Sequence, residues 1–448
     1  MNYSVFATVA LIATSAFTVS TALAEVPEKI NLQELMRQAV RQSPALGRAR
    51  AERSAAKYEA DRSLSAFAPR AQVSGTFRKL SEEVFPELAP GVVFPQFLET
   101  YSFQASVSIP VMEYISRRPA LYKIVHLTLD LEEAQLAEQT QAVAETVASR
   151  AFTLIASREA AEVMRQGLKT LNGRITDLSR LVNAGASTKS AILALEAQVA
   201  ALESELIQVE GMNQLMELEL ALALGYGERS SLPRFDFDIS KSLLEARPRF
   251  DQAYGDALSN RPELKALDVA QQIQENQRRL HFSGQFPSFS IDGNIETANP
   301  NNRIFPPSGE FETTWAIQAV IAWSPNAFLT EMVRTGQAKV AIEALEEDMR
   351  GLKNMVKLQV SGALSELTTA SRLTAAAEKR VRAARAALLD QEVLRRIGES
   401  TAQNLLESEQ TKREAEMSFI DAQVKARIAE LRMKKAVGRL TEFVTTGE

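Results

Sequence analysis

The pattern of apolar and polar residues divides this chain into stretches of two kinds. In four short stretches, apolar side chains alternate with small or polar ones, as they do in a β-strand with two different faces. Elsewhere, apolar residues step by three and four positions over long distances, which is typical of helices that pack against one another. The sequence therefore predicts a mainly α-helical protein with a small β-structured part.

The alternating stretches define four strands of about nine to eleven residues. The alternating residues of these strands run from Arg70 to Arg78, from Tyr101 to Ile109, from Phe289 to Ile295 and from Trp315 to Trp323. Strands of soluble β-sandwiches are usually shorter, about five or six residues. Length and alternation therefore favour a transmembrane β-barrel with a lipid face and a lumen face. Aromatic residues at the strand ends fit interfacial girdles, although aromatics are common in ordinary strands as well.

The polar face of these strands predicts the residues that line the water-filled lumen. They are small and uncharged, so they predict a permissive surface without substrate specificity. The predicted lumen residues are Gln72, Ser74, Thr76, Gln104, Ser106, Asn294 and Gln318.

The remaining sequence predicts helices of unusual length. Residues 120–182 contain no proline, which allows a rod of roughly 95 Å at 1.5 Å per residue. Apolar residues at three-four spacing continue to Leu220 and follow the seven-residue repeat of coiled coils. Residues 328–397 and 400–437 predict a second long pair with more alanine.

The chain contains an internal duplication. The segment N-A-G-A-S-T around Gly185 returns as R-I-G-E-S-T around Gly398, a separation of 398 − 185 = 213 residues. Pro44 and Pro262 stand in similar segments, 262 − 44 = 218 residues apart. Two copies of one structural unit are therefore predicted. The domain limits are a signal peptide at 1–24, a first repeat at 25–224, a connection at 225–248, a second repeat at 249–440 and a tail at 441–448.

The two glycine segments predict the tips of helical hairpins. Glycine readily adopts the left-handed conformation that ends a helix, and a following Ser or Thr hydroxyl can cap the next helix. The predicted tip residues are Gly185, Ala186, Ser187, Thr188, Gly398, Glu399, Ser400 and Thr401.

Composition narrows the function. The chain has 448 residues, no cysteine, two histidines and a formal net charge of −5. These features give no basis for thiol chemistry, a Cys/His zinc site or nucleic-acid binding, and no phosphate-binding or metalloprotease motif occurs. We therefore predict neither enzymatic activity nor a cofactor. Residues 1–24 carry no charged side chain and end in A-L-A, which predicts a cleaved signal peptide.

Four strands cannot form a stable sheet in lipid by themselves, because the open edges would leave backbone groups unpaired. Several copies of the chain must close the barrel, and three copies would supply twelve strands with an open lumen.

The duplicated proline segments, the proline–strand junctions and the two glycine-tipped hairpins resemble the TolC family of outer-membrane efflux proteins over about residues 30–437. The resemblance implies a homotrimer with a twelve-stranded outer-membrane barrel and an α-helical barrel in the periplasm. It also implies an exit duct of a tripartite efflux or type I secretion system, with a periplasmic adaptor docked at the tips and an inner-membrane transporter. In members of that family, acidic side chains six and nine residues after the second tip glycine commonly narrow the periplasmic end. Here these positions are Asn404 and Glu407, so an amide replaces one of the two carboxylates and the expected gate has a single acidic ring.

Three alternative functions fit the sequence less well. A periplasmic adaptor would contain one coiled-coil hairpin between small β-domains. A soluble coiled-coil scaffold would need neither amphipathic strands nor an export signal. A carboxylate-based periplasmic hydrolase has no sequence feature in its favour.

Overall fold

The protein is described by a computed structural model. The described residues are 27–81, 97–185, 188–226, 232–244, 246–397 and 399–445. The predicted signal peptide lies outside them, as do Ala186, Ser187 and Gly398 of the predicted tips.

The described chain is mainly helical and contains one four-stranded sheet. Its first half, in chain order, consists of β1 (Lys29–Ile30), α1 (Leu32–Gln42), α2 (Pro44–Ser63), β2 (Arg70–Lys79), β3 (Glu99–Ile109), α3 (Arg118–Asn183), α4 (Lys189–Ala223) and β4 (Arg234–Phe235). Its second half consists of α5 (Phe250–Asn260), α6 (Pro262–Ser283), β5 (Ser288–Asn299), β6 (Glu312–Ala322), α7 (Pro325–Arg396), α8 (Ala402–Ala436) and α9 (Leu440–Thr445).

The sheet has the antiparallel order β2-β3-β5-β6. All four predicted strands are present, with small differences in length. β5 extends to twelve residues, and β6 ends at Ala322, one residue before the predicted end at Trp323. A short 3₁₀ turn leads from α2 into β2, and a five-residue π-helical turn (Glu113–Arg117) leads from β3 into α3.

The long helices form two antiparallel pairs. α3 packs on α4, α7 packs on α8, and α3 also contacts α8, so the two pairs lie side by side. Their bounds agree closely with the predicted helices. Among the described residues, no helix has the length and hydropathy to cross a membrane.

Two glycines occupy equivalent positions in the two repeats, each directly after a long helix and close to the turn before a helix that begins with proline. Gly225 follows α4 with φ +77°, and a Cβ there would lie 2.7 Å from the side chain of Gln42. Gly438 follows α8 with the same φ, and its Cβ would lie 2.7 Å from the backbone of Asn260. Each glycine therefore allows close contact with the turn that precedes α2 or α6.

A middle layer of short elements surrounds these junctions. β1 and β4 form a small parallel pair, and Phe152 of α3 packs edge-on against Phe237 at a centroid distance of 5.6 Å. α9 adds Leu440 and Val444 to the same apolar cluster. This layer ties both ends of the described chain to the long helices.

Candidate functional site

The register of the sheet collects the predicted lumen residues on one face. Directly paired residues of neighbouring strands lie on the same face, and alternate residues of one strand do so as well. Gln72 pairs with Ser106, which in turn pairs with Asn294. Ser74 pairs with Gln104 one pleat further along. By the same alternation Thr76 and Gln318 share this face.

Acidic residues on this face, among them Asp292 and Glu296, were missing from the predicted lumen residues. Asp292 pairs with Gln318 across β5 and β6, and Glu296 pairs with Gln104 across β5 and β3. The Ser108 hydroxyl donates to Asp292 Oδ1 at 2.5 Å, and the Ser290 hydroxyl donates to Oδ2 at 3.1 Å. The sequence of β5 already indicated their position. Asp292 and Glu296 lie two residues before and two residues after Asn294, so they project from the same face of the strand.

The opposite face of the sheet is apolar and uncovered within the chain. Large side chains stand exposed at alternate positions of every strand. They include Val73, Phe77, Phe103, Ile295, Trp315, Ile317 and Ile321. The sheet therefore separates a polar surface from an apolar one across its whole width.

The helical tips agree in part with the predicted capping. Gly185 has φ +74°, the left-handed conformation expected at the end of α3. The Thr401 hydroxyl accepts a hydrogen bond from the backbone N–H of Asn404 at 3.2 Å and caps α8. Thr188 precedes α4, but its hydroxyl bonds with the Ser190 hydroxyl at 2.9 Å and does not cap the helix. Of the two hydroxyl residues predicted to cap α4, Thr188 therefore does not, because a neighbouring side chain takes its hydroxyl.

The predicted gate residues lie on the first turns of α8. Asn404 and Glu407 are exposed and three positions apart, so they lie on neighbouring parts of one helix surface. Neither side chain has an ion-pair or hydrogen-bond partner in the described part of the chain. Glu399 and Ser400 precede α8, and the Ser400 hydroxyl donates to Gln391 of α7 at 2.6 Å.

A partly buried ion pair joins the two hairpins just behind the tips. Arg174 of α3 donates to Glu409 Oε1 of α8 at 2.8 Å, and Glu409 is 9% exposed. The second oxygen of Glu409 is buried without a hydrogen-bond partner in the described structure. Between this pair and the tips lies a cavity of about 340 Å³ that α3, α4 and α8 enclose with Arg395 of α7.

The middle layer contains carboxylates with shifted pKa values. Burial, and secondly the nearby Glu263, raise the pKa of Glu138. Burial, and secondly Asp238, raise the pKa of Glu159. The hydroxyl and backbone N–H of Ser240 bond to Asp238 and lower its pKa. The described residues contain no cluster suited to a metal ion.

The described chain thus combines one four-stranded sheet, polar on one face and apolar on the other, with two long antiparallel helical pairs. The sequence model of the Outer membrane efflux protein family matches residues 35–226. The outer membrane protein TolC of Vibrio cholerae is 21% identical over 419 residues, which cover 92% of this chain and 91% of that protein.

Solved structures agree with this assignment at the level of fold. The outer-membrane channel OprN has a TM-score of 0.75 at 18% identity, with 91% of this chain and 89% of that chain covered. The CmeC outer membrane channel of Campylobacter jejuni has a TM-score of 0.76 at 13% identity, with 91% and 85% covered. The family match, the curated relative and the solved structures all agree with the resemblance to TolC-like outer membrane efflux proteins that the sequence predicted.

Proposed function

We propose that three copies of this chain form a continuous duct across the outer membrane and the periplasm. The observation that carries this proposal is the four-stranded sheet, in which β2 and β6 each have a single partner in the described part of the chain. With one apolar face, such a sheet enters lipid only if its edges are paired. Pairing β2 of one copy with β6 of the next gives twelve strands around a polar lumen.

The helices below the sheet support the same closure. α4 and α7 lie at the two flanks of the helical layer and carry exposed apolar side chains that their own chain leaves uncovered. On α4 these include Leu193, Ile207, Leu215 and Leu222. On α7 they include Leu358, Leu373, Leu389 and Val393. Contact between α4 of one copy and α7 of the next would bury both sets and form an α-helical barrel.

In this assembly the chain acts as a passive exit duct in a tripartite efflux or type I secretion system. Residues 25–224 and 249–440 act as two copies of one unit, joined by residues 225–248. The tips around Gly185 and Gly398 meet a periplasmic adaptor, and an inner-membrane transporter supplies the energy. The resemblance to the TolC family supports these partners, and the cavity behind the tips supports a docking role.

The periplasmic end is the proposed constriction. Three Glu407 side chains and three Asn404 amides would surround the axis near the ends of the α8 helices. A ring of three like charges attracts cations. The lumen residues of the sheet leave the outer section wide and wetted.

The export signal at residues 1–24 and the apolar sheet face support a location in the outer membrane with a periplasmic helical section. Membrane fractionation, native mass measurement and bilayer conductance test the proposal together. We expect an outer-membrane protein that purifies as a trimer and conducts ions. A soluble monomer without conductance would refute it. A Gly398→Leu variant that keeps the conducting trimer but loses export would support docking at the tips, whereas normal export would contradict that role.

A further inference from the structure

A groove with a volume of about 300 Å³ lies at the base of the sheet, where the strands join the helices. The end of β3 with its π-helical turn, the turn between α6 and β5, and the segment from β6 into α7 form its walls. Its lining includes Arg117, Phe286, Ser288 and Trp323. This groove lies at the opposite end of the strands from the two strand-connecting segments.

The aromatic residues of the groove continue the apolar sheet face. Trp323 directly follows β6 and continues the alternating series of Trp315, Ile317 and Ile321. These three side chains are exposed on the apolar face. Trp323 and Phe286 are more than half exposed, at 56% and 53%. The Trp323 indole N–H donates to the Gln285 backbone carbonyl at 3.4 Å, which holds the ring at the edge of the groove. Tryptophan in this position is typical of the boundary between a membrane and water.

The charged lining of the groove favours an anion. Arg117 is exposed and has no ion-pair or hydrogen-bond partner among the described residues. Glu113, the acidic lining residue, is already paired with Arg70 at 2.9 Å. Two more exposed arginines without ion pairs in the described structure, Arg278 and Arg279, lie on the last turns of α6.

We propose that this groove binds the headgroup of an anionic phospholipid, with Arg117 at the phosphate and Trp323 and Phe286 against the glycerol and upper acyl chain. The inference rests on the proposed insertion of the sheet into the outer membrane. A guanidinium binds phosphate oxygens with paired N–H donors, and its attraction is strongest for a lipid with net negative charge. Bound lipids would then seal the joint between the barrel and the helices in each copy.

Tryptophan fluorescence tests this site, because the chain contains two tryptophans. In a Trp315→Phe variant, Trp323 is the single tryptophan, and its fluorescence is measured in vesicles that contain brominated phosphatidylglycerol or brominated phosphatidylcholine. The bromine atoms lie near the headgroup end of the acyl chains and quench a nearby tryptophan. We expect brominated phosphatidylglycerol to quench Trp323 at a lower mole fraction than brominated phosphatidylcholine does. Arg117→Gln should reduce that preference about five-fold, and added salt should weaken it. The matched variant Arg382→Gln, which changes an exposed arginine of α7 far from the groove, should retain it.

Equal quenching by both lipids, or equal loss in the Arg382→Gln control, would overturn the headgroup site. Competition by soluble glycerol phosphate as strong as by the lipid would also overturn it, because the ligand would then be a free phosphate. The reciprocal Trp323→Phe protein leaves Trp315 on the sheet face as the reporter. Quenching of Trp315 without quenching of Trp323 would reject the groove and leave the membrane barrel intact. Absence of quenching at both positions would reject the barrel as well.

Discussion

Ile207 in α4 and Ile420 in α8 occupy equivalent positions of the two hairpins, 420 − 207 = 213 residues apart, yet Ile207 is 69% exposed and Ile420 is 9% exposed. Ile420 packs in a cluster with Ala148 and Phe152 of α3. In the described chain no helix covers α4 at the matching place. The duplication therefore suggests that α7 of a second copy covers Ile207, as α3 covers Ile420 within one copy.

We expect Ile207→Asp to prevent assembly while the single chain keeps its helical content. In the trimer the aspartate would have to be buried, and an unpaired charge at an apolar contact is strongly unfavourable. Native mass measurement and circular dichroism of the detergent-extracted protein provide the two readouts.

The equivalent substitution in the second hairpin should behave differently. Ile420→Asp places the charge inside the chain, so we expect loss of the fold as well as of the trimer. A normal trimer of Ile207→Asp would contradict a contact at this face of α4.

Gly438→Ala should destabilise the protein more than Gly185→Ala. Both glycines have a positive φ, which costs an alanine about 1–2 kcal/mol. At Gly185 a Cβ meets no atom within 4 Å, whereas at Gly438 it would lie 2.7 Å from the Asn260 backbone. Thermal unfolding at a fixed protein concentration measures both variants. Equal shifts in the midpoint would contradict the close contact between α8 and the α5–α6 turn.

The sheet and the long helices were predictable because each keeps one periodicity over many residues. The alternation from Tyr101 to Ile109 lies within β3, and the proline-free segment 120–182 lies within α3. The duplicated glycine segments also predicted where the hairpin tips lie. The repeat also contains a glutamate eleven residues after each glycine, Glu196 and Glu409, but only the fold reveals that Arg174 is the partner of Glu409.

Short elements were not predictable in the same way. The pair β1–β4 has two residues in each strand, and α9 has six residues, so neither displays a full period. The lumen acids Asp292 and Glu296 were missed for another reason. The sequence showed that both lie an even number of residues from Asn294, but the predicted lumen residues included only uncharged side chains.

Replacement of Arg174 and replacement of its partner Glu409 should lower the stability of the protein by different amounts. Arg174→Gln leaves the buried Glu409 carboxylate without its partner, whereas Glu409→Gln leaves the more exposed Arg174 free to reach water. We therefore expect the arginine variant to lose more stability, about 1–3 kcal/mol after allowance for the partial exposure of Arg174. A double-mutant cycle of unfolding free energies measures the coupling. Additive losses would contradict a direct interaction.

Glu138→Gln should stabilise the protein at high pH. Because the folded pKa of Glu138 is raised above its ordinary value of 4.5, protonation favours the folded state. That contribution is fully present below pH 4.5 and is lost as the pH rises through the raised pKa. The amide variant should therefore unfold at a higher temperature than the unaltered protein at pH 8, with the difference disappearing at pH 4. Glu378→Gln, a change at an exposed position of α7, controls for charge removal. An equal gain in that control would refute the role of burial.

Glu407→Gln should reduce the cation preference of the conducting trimer, and Asn404→Asp should increase it. The first change removes three negative charges from the proposed constriction, and the second adds three, so opposite shifts are expected. Reversal potentials across a salt gradient measure both, with effects of about three-fold in the permeability ratio at low ionic strength, where screening is weak. Asp292→Asn tests whether the polar face of the sheet, rather than the helical end, sets the cation preference. If Asp292→Asn changes selectivity and both tip variants leave it unaltered, the charge filter lies in the sheet and the proposed constriction at Glu407 is wrong.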